Sequence, residues 1–101
     1  MSNILKHADQ IVNERSEEKD RQYGPFIDCM ERATAIYNLM SPGNQITTDC
    51  MYKALVALKL AREANAHKED NLLDAVAYLG GLQNYYDERG LAAQFDPDKF
   101  N

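Results

Sequence analysis

DCMYKALVALKLAREAN (residues 49–65) and DNLLDAVAYL (residues 70–79) decide the fold. Both read as helices, joined by the polar turn Ala66-His67-Lys68-Glu69. Each is apolar almost all the way round. Embedded in that apolar surface are the cations Lys53, Lys59 and Arg62 on the first and the carboxylates Asp70 and Asp74 on the second. A helix that is hydrophobic on every side is normally buried, and a buried charge needs a partner. Cations of the first helix are therefore expected to meet carboxylates of the second, with Arg62 and Asp74 as the principal pair. Stepping about 100° per residue puts Lys59 beside Tyr52 and Glu63, and Arg62 beside Met51, Leu55 and Leu58. Lys53 falls nearly opposite Arg62. Lys59 and Arg62, three residues and about 60° apart, can serve one site.

Working outward, the second of these helices extends over 70–88. Leu72, Leu73, Ala75, Val76, Leu79, Leu82 and Tyr86 make its broad apolar side, and Asp70, Asp74, Ala77 and Gly81 the remaining arc. Gly80-Gly81 in mid-helix costs about 1 kcal/mol per glycine against alanine, which suggests that another backbone comes close there, from this chain or from a second subunit. Gly90 is a natural stop. Residues 91–101 read as an irregular tail that Leu91, Phe95 and Phe100 could pin to the body. On the other side, Ser41-Pro42-Gly43-Asn44 is a turn by composition, and Thr47 or Thr48 caps the helix that follows. A helix over 25–40 is predicted to turn Phe26, Cys29, Met30, Ala33, Ile36, Tyr37 and Met40 to the core. Pro25 sits in its first turn. Residues 3–15, capped by Ser2, carry the amphipathic stripe Ile4, Leu5, Ala8, Ile11 and Val12. Between these two helices, residues 16–22 are a charge run with no apolar member, read as a solvated helix end or loop. The sum is an all-α, four-helix, bundle-like single domain over 1–90 with a tail over 91–101.

At 101 residues, 45% hydrophobic and 27% charged, the chain suits one globular domain. A domain this small buries a modest share of its surface, so self-association through an apolar helix face is expected. A net charge of −5 argues against non-specific nucleic-acid binding. Residues 1–5 lack a charged stretch followed by an apolar run, and Lys59 and Arg62 interrupt the longest apolar window. A cytoplasmic protein without a membrane span is the expectation, with Cys29 and Cys50 as reduced core thiols. His7 and His67 carry no metal-ligand spacing.

No P-loop, GxGxxG, HExxH or GxSxG occurs. The chemistry on offer is carboxylates and cations on helices. Asp70 and Asp74 at i, i+4 share a face and could converge on Mg²⁺; Asp28 and Glu31 at i, i+3 form a second acidic pair, most simply a solvated one. Lys59 and Arg62 could hold a phosphate. Asn71 and Tyr78 could hydrogen-bond a base or sugar, and Tyr23 could stack on one. Asp74 with Arg62 is open to two readings, a buried ion pair that fixes helix packing or part of a ligand site.

Gln22-Tyr23-Gly24-Pro25, Glu31-Arg32-Ala33, Leu58-Lys59-Leu60-Ala61-Arg62 and Lys68-Glu69-Asp70-Asn71-Leu72-Leu73-Asp74 resemble a small all-helical family of tailed-phage and prophage proteins. The resemblance spans about residues 21–85 and implies a phage-type accessory protein without naming an activity. The chain also resembles, more distantly, the MazG-like all-α nucleoside triphosphate pyrophosphohydrolases. Those are oligomeric enzymes that hold Mg²⁺ between an ExxE-type pair and an ExxD-type pair. By that resemblance Asp28 and Glu31 stand for the first pair, and Asn71 and Asp74, helped by Asp70, for the second. Asn71 replaces an acid, and a whole helix lies between the pairs.

The leading expectation is a non-catalytic, phage-type accessory protein, a homo-oligomer in the host cytoplasm. It would bind a nucleotide or other phosphate ligand without a cofactor. Lys59 and Arg62 would hold the phosphate, Asp74 would orient Arg62, and Asn71, Tyr78 and Tyr23 would line the pocket. One alternative is a Mg²⁺-dependent pyrophosphohydrolase using Asp28, Glu31, Asp70 and Asp74. The other is a helical interaction protein that inhibits a host enzyme.

Overall fold

A computed structural model describes residues 3–14 and 17–90. Helices α1 (Ile4–Asn13), α2 (Glu17–Tyr23), α3 (Phe26–Met40), α4 (Thr48–Asn65) and α5 (Glu69–Arg89) make up the fold, and no strand occurs among the described residues. The all-α expectation holds, with four long helices where the sequence predicts them. The fifth, α2, is formed by the charge run itself and buries nothing. Ser2, Arg15, Ser16 and the 91–101 tail, including Leu91, Phe95 and Phe100, lie outside the described residues.

The punctuation is local. Gly24 takes φ +78°, and its N–H donates to the Asp20 carbonyl at 2.8 Å, closing α2 in the left-handed conformation that glycine tolerates best. Pro25 follows at the N-cap of α3, so the helix begins at Phe26, one residue after the predicted start, and the Pro25 carbonyl accepts from the Cys29 N–H. Asn38 staples the 41–47 connection: its Nδ2 donates to the Ile46 carbonyl at 2.9 Å and its Oδ1 accepts from the Ile46 N–H at 2.8 Å. Thr47 is the N-cap residue of α4, but its hydroxyl turns to the Asp49 carboxylate instead of a backbone N–H. Gly90, at φ +72°, ends α5 as expected.

Helix α5 is central, with α4 on one flank and α1 on the other, while α3 lies against α4. The core is aromatic and small. Met30, Tyr52, Leu82 and Tyr85 are buried together, with Phe26, Ile27, Met51, Leu55 and Tyr86 packed around them. Phe26 meets Tyr52 edge-on at 5.7 Å between centroids, and Tyr52 meets Tyr85 at the same distance. Such pairs add about 0.5–1.5 kcal/mol each beyond their area burial.

Several packing expectations are corrected. On α5 the predicted apolar side is buried at Ala75 and Leu82, but the arc of small residues is buried as well, at Ala77 and Gly81 together with Tyr85, while Leu79 is exposed. The reason is steric. A Cβ at Gly81 would stand 3.3 Å from ring atoms of both Phe26 and Tyr52, so the glycine admits two aromatic rings, not a second backbone. Helix α4 is not buried on all sides. Tyr52 is fully buried, but Ala54, Ala57, Leu58 and Ala61 face out. Cys50 faces out with them and is no core thiol, while Cys29 is half-buried; both are free. In α3 the predicted core stripe fails after Thr34, whose hydroxyl donates to the Met30 carbonyl at 2.8 Å. Beyond it Ile36, Tyr37, Leu39 and Met40 are exposed, the last two at 82% and 78%.

Candidate functional site

Asp74 finds a cation from α4, but a different one from that expected. Lys59 Nζ lies 2.9 Å from Asp74 Oδ2, with the two side chains 18% and 35% exposed. Arg62 is exposed, one helical step off the α4–α5 seam, and does not meet Asp74. The correction follows from wheel phase. Lys59 shares the seam-facing side with Tyr52, Val56 and Glu63, whereas Arg62 is displaced by about 60° toward solvent. Breaking a fully buried pair costs about 3–5 kcal/mol and an exposed one about 0–1. This pair, partly shielded, lies between those limits.

Asp74 also lines a cleft of about 510 Å³ bounded by α1, α2, the start of α3 and α5. Tyr23, Phe26 and Tyr78 contribute its aromatic surface, Ile11, Val12 and Ala77 the aliphatic part, and Gln10, Glu14, Lys19 and Asp74 the polar groups. Phe26 and Tyr78 are stacked, their planes 25° apart and their centroids at 6.3 Å, and hold each other in place. Tyr23 is more than half exposed. Gly24 and Pro25 fix how Tyr23, the last residue of α2, is delivered to the mouth. Small-molecule clefts are typically 300–1,000 Å³, apolar and aromatic with a few convergent polar groups, and this one fits that description.

The sequence-predicted site residues thus divide. Tyr23, Asp74 and Tyr78 share the cleft, and Lys59 steadies Asp74. Asn71 is buried and does not line the cleft; it lies by Glu63, where it helps to lower that carboxyl. Burial opposes ionisation of Glu63. The hydrogen bonds from His67, the Lys68 N–H and Asn71 outweigh it and hold that carboxyl below its usual range. Asn71 and Glu63 therefore close the α4–α5 turn instead of lining a ligand site. Gln10, Ile11, Glu14, Lys19 and Phe26 were missed. Their signal was faint: Ile11 belonged to a stripe expected to face the core, and Lys19 to a run read as solvated.

The four proposed metal ligands do not gather. Asp28 and Glu31 converge on Arg89 from the end of α5, which reaches Glu31 at 2.6 and 3.2 Å and Asp28 at 3.2 Å. The Arg89 hydrogen bond holds the Glu31 carboxyl below its usual range against the small cost of desolvation. That acidic pair already holds a cation and clamps α3 to α5. Asp70 is exposed in the first turn of α5, and Asp74 is with Lys59. Among the described residues no three His, Cys, Asp or Glu side chains form a group able to hold a metal ion. A Mg²⁺ centre built from all four carboxylates does not fit this arrangement.

A second junction ties the start of α4 to the end of α5. Asp49 accepts from the Thr47 hydroxyl, from Tyr86 at 3.3 Å and from Lys53 at 3.5 Å. Led by the Thr47 bond and opposed by desolvation, these partners lower its pKa. No described helix is long and apolar enough to cross a membrane.

Residues 3–86, from the N-cap of α1 almost to the end of α5, match the model of a family described as a domain of unknown function, DUF6378. The chain belongs to that family. The DUF6378 match takes in every helix that bounds the cleft. No curated protein and no solved structure matches the chain.

Proposed function

We propose that this DUF6378 protein is a phage-type accessory protein that binds a nucleoside or nucleotide in the α1–α2–α3–α5 cleft without transforming it. The observation that carries the reading is the meeting of an aromatic wall with a steadied carboxylate. Tyr23, Phe26 and Tyr78 offer ring faces on which a heterocycle stacks, and Asp74, fixed by Lys59, offers an acceptor at its edge. A π-face accepts any base, at about 1–3 kcal/mol per stacked base. The phage association is supported by the sequence resemblance alone. The phosphate end differs from the sequence expectation, because Lys59 is engaged by Asp74 and Arg62 lies elsewhere. Lys19 is the cation among the described lining residues, which makes it the candidate for the phosphate end. Exposed Leu39, Met40, Leu58 and Leu60 support a homo-oligomer as the working form.

Thermal shift with nucleosides and nucleotides, with and without Mg²⁺, tests this reading. A ligand at 100 times its Kd stabilises the fold by about 2.7 kcal/mol, and Tyr23→Ala should abolish the shift without lowering the unliganded melting temperature. Pyrophosphate release in the same samples would select the hydrolase instead. Absence of any shift would leave the helical interaction protein.

A further inference from the structure

Resting on the nucleoside reading, we infer that the cleft selects bases carrying an exocyclic amino group, and that Asp74 is the residue that selects them. Among the described residues of the lining, carboxylates outnumber cations. The Asp74 and Glu14 carboxylates are acceptors, Gln10 can accept or donate, and Lys19 is the one cation among these described residues. A phosphate-centred site would show the reverse balance.

Within this set Asp74 is the group prepared for recognition. A carboxylate has about four lone-pair positions on its two oxygens. Lys59 occupies Oδ2 at 2.9 Å and fixes the carboxylate's orientation, leaving Oδ1 to accept from a ligand. Asp74 is one helical turn before Tyr78, so the acceptor and the Phe26–Tyr78 ring surface lie on the same side of α5. A base stacked on that surface brings its edge to the carboxylate. An amino group there donates to Oδ1, whereas a C–H leaves the oxygen unsatisfied. Side-chain carboxylates read the cytosine amino group of DNA on the same logic. Asp74 retains partial exposure, so the discrimination is smaller than in a fully closed site, where a missing ligand hydrogen bond costs about 10⁴–10⁵-fold. Tenfold or more is expected here.

Calorimetric titration of the full chain with two ligand pairs tests this, each pair differing by one exocyclic amine: adenosine against purine riboside, and guanosine against inosine. The amine-bearing member of at least one pair should bind tenfold or more tightly, and Asp74→Asn should shrink that gap below threefold. Should Asp74→Asn fail to fold, Lys59→Met/Asp74→Asn removes the stranded ammonium as well and is read in the same way. Equal affinities within both pairs in the wild type overturn the selectivity while leaving nucleoside binding standing. So does a gap that survives the loss of the carboxylate. If neither these nucleosides nor their monophosphates bind at all, the parent reading and this inference fall together.

Discussion

Adjacent glycines in α5 should respond oppositely to the same added methyl group. Replacing a mid-helix glycine by alanine gains about 1 kcal/mol from helix propensity. At Gly80 the new Cβ meets Val12 Cγ2 of α1 at 3.8 Å, an ordinary contact, so Gly80→Ala should keep most of that gain. At Gly81 the Cβ would stand 3.3 Å from Phe26 Cε2 and 3.3 Å from Tyr52 Cε1. Both rings must retreat by a few tenths of an ångström. Tyr52 is fully buried, and its ring is held between Phe26 and Tyr85, so there is little slack. Overpacking of this kind costs about 1–3 kcal/mol, which cancels or exceeds the propensity gain. Urea unfolding followed by far-ultraviolet circular dichroism should therefore rank the proteins Gly80→Ala, wild type, Gly81→Ala, with about 1–3 kcal/mol between the two variants. The comparison is internally controlled, because both variants change the unfolded chain identically. Equal stability of the two, or Gly81→Ala as the more stable, would refute the aromatic packing on which the cleft wall depends.

Tyr52 supplies a second test. Its hydroxyl is buried without a hydrogen-bond partner among the described residues, and an orphaned polar group costs about 1–3 kcal/mol, so Tyr52→Phe should be neutral or stabilising by up to about 1 kcal/mol in the same assay. Burial first, then the charges of Tyr85, Glu31 and Glu88, push this phenol up to about 12 from an ordinary 10.0. The unfolded chain then releases the proton before the folded one does. Wild-type stability should fall as pH rises from 10 toward 12, and in Tyr52→Phe less steeply. Lys59→Met, which strands Asp74, should cost about 1–2 kcal/mol, whereas Arg62→Ala should stay within about 0.5 kcal/mol; the opposite ranking would restore Arg62 as the partner. Glu31, held low by Arg89, adds stability that is present above its ordinary value of 4.5 and lost as pH falls through its lower folded value. An Arg89→Met variant should show a flatter acid limb in a series of thermal melts.

What the sequence disclosed and what it hid have physical reasons. Gly24-Pro25, the 41–44 turn and Gly90 mark helix ends through backbone preferences that act within a few residues, so the long helices could be placed to about one residue. The charge run was harder to assign. Its residues propagate a helix as well as a solvated loop, and α2 needed only Gly24 to close it. Facing was misread wherever size mattered more than hydropathy. Leu79 is the more apolar side chain, yet Ala77 and Gly81 face the core because the Phe26 and Tyr52 rings fill the space they leave. Wheel angles showed that a cation of α4 would meet Asp74, but choosing Lys59 over Arg62 depended on how α4 is rotated against α5. The cleft was half legible for a related reason. Tyr23, Asp74 and Tyr78 belong to segments whose neighbours suggested contact, whereas Gln10, Ile11 and Glu14 come from α1, distant in the chain.

The central claim is that a nucleoside or nucleotide sits between α1 and α5 on Tyr23, Phe26 and Tyr78, with its edge at Asp74. The most direct measurement is a ¹⁵N-resolved nuclear magnetic resonance titration of the full chain with adenosine, guanosine, cytidine and their monophosphates. Binding should move the amide signals of residues 10–14, 19–26 and 74–78, with little change along the outward face of α4. Saturable shifts elsewhere, or none with any of the six ligands, would contradict it.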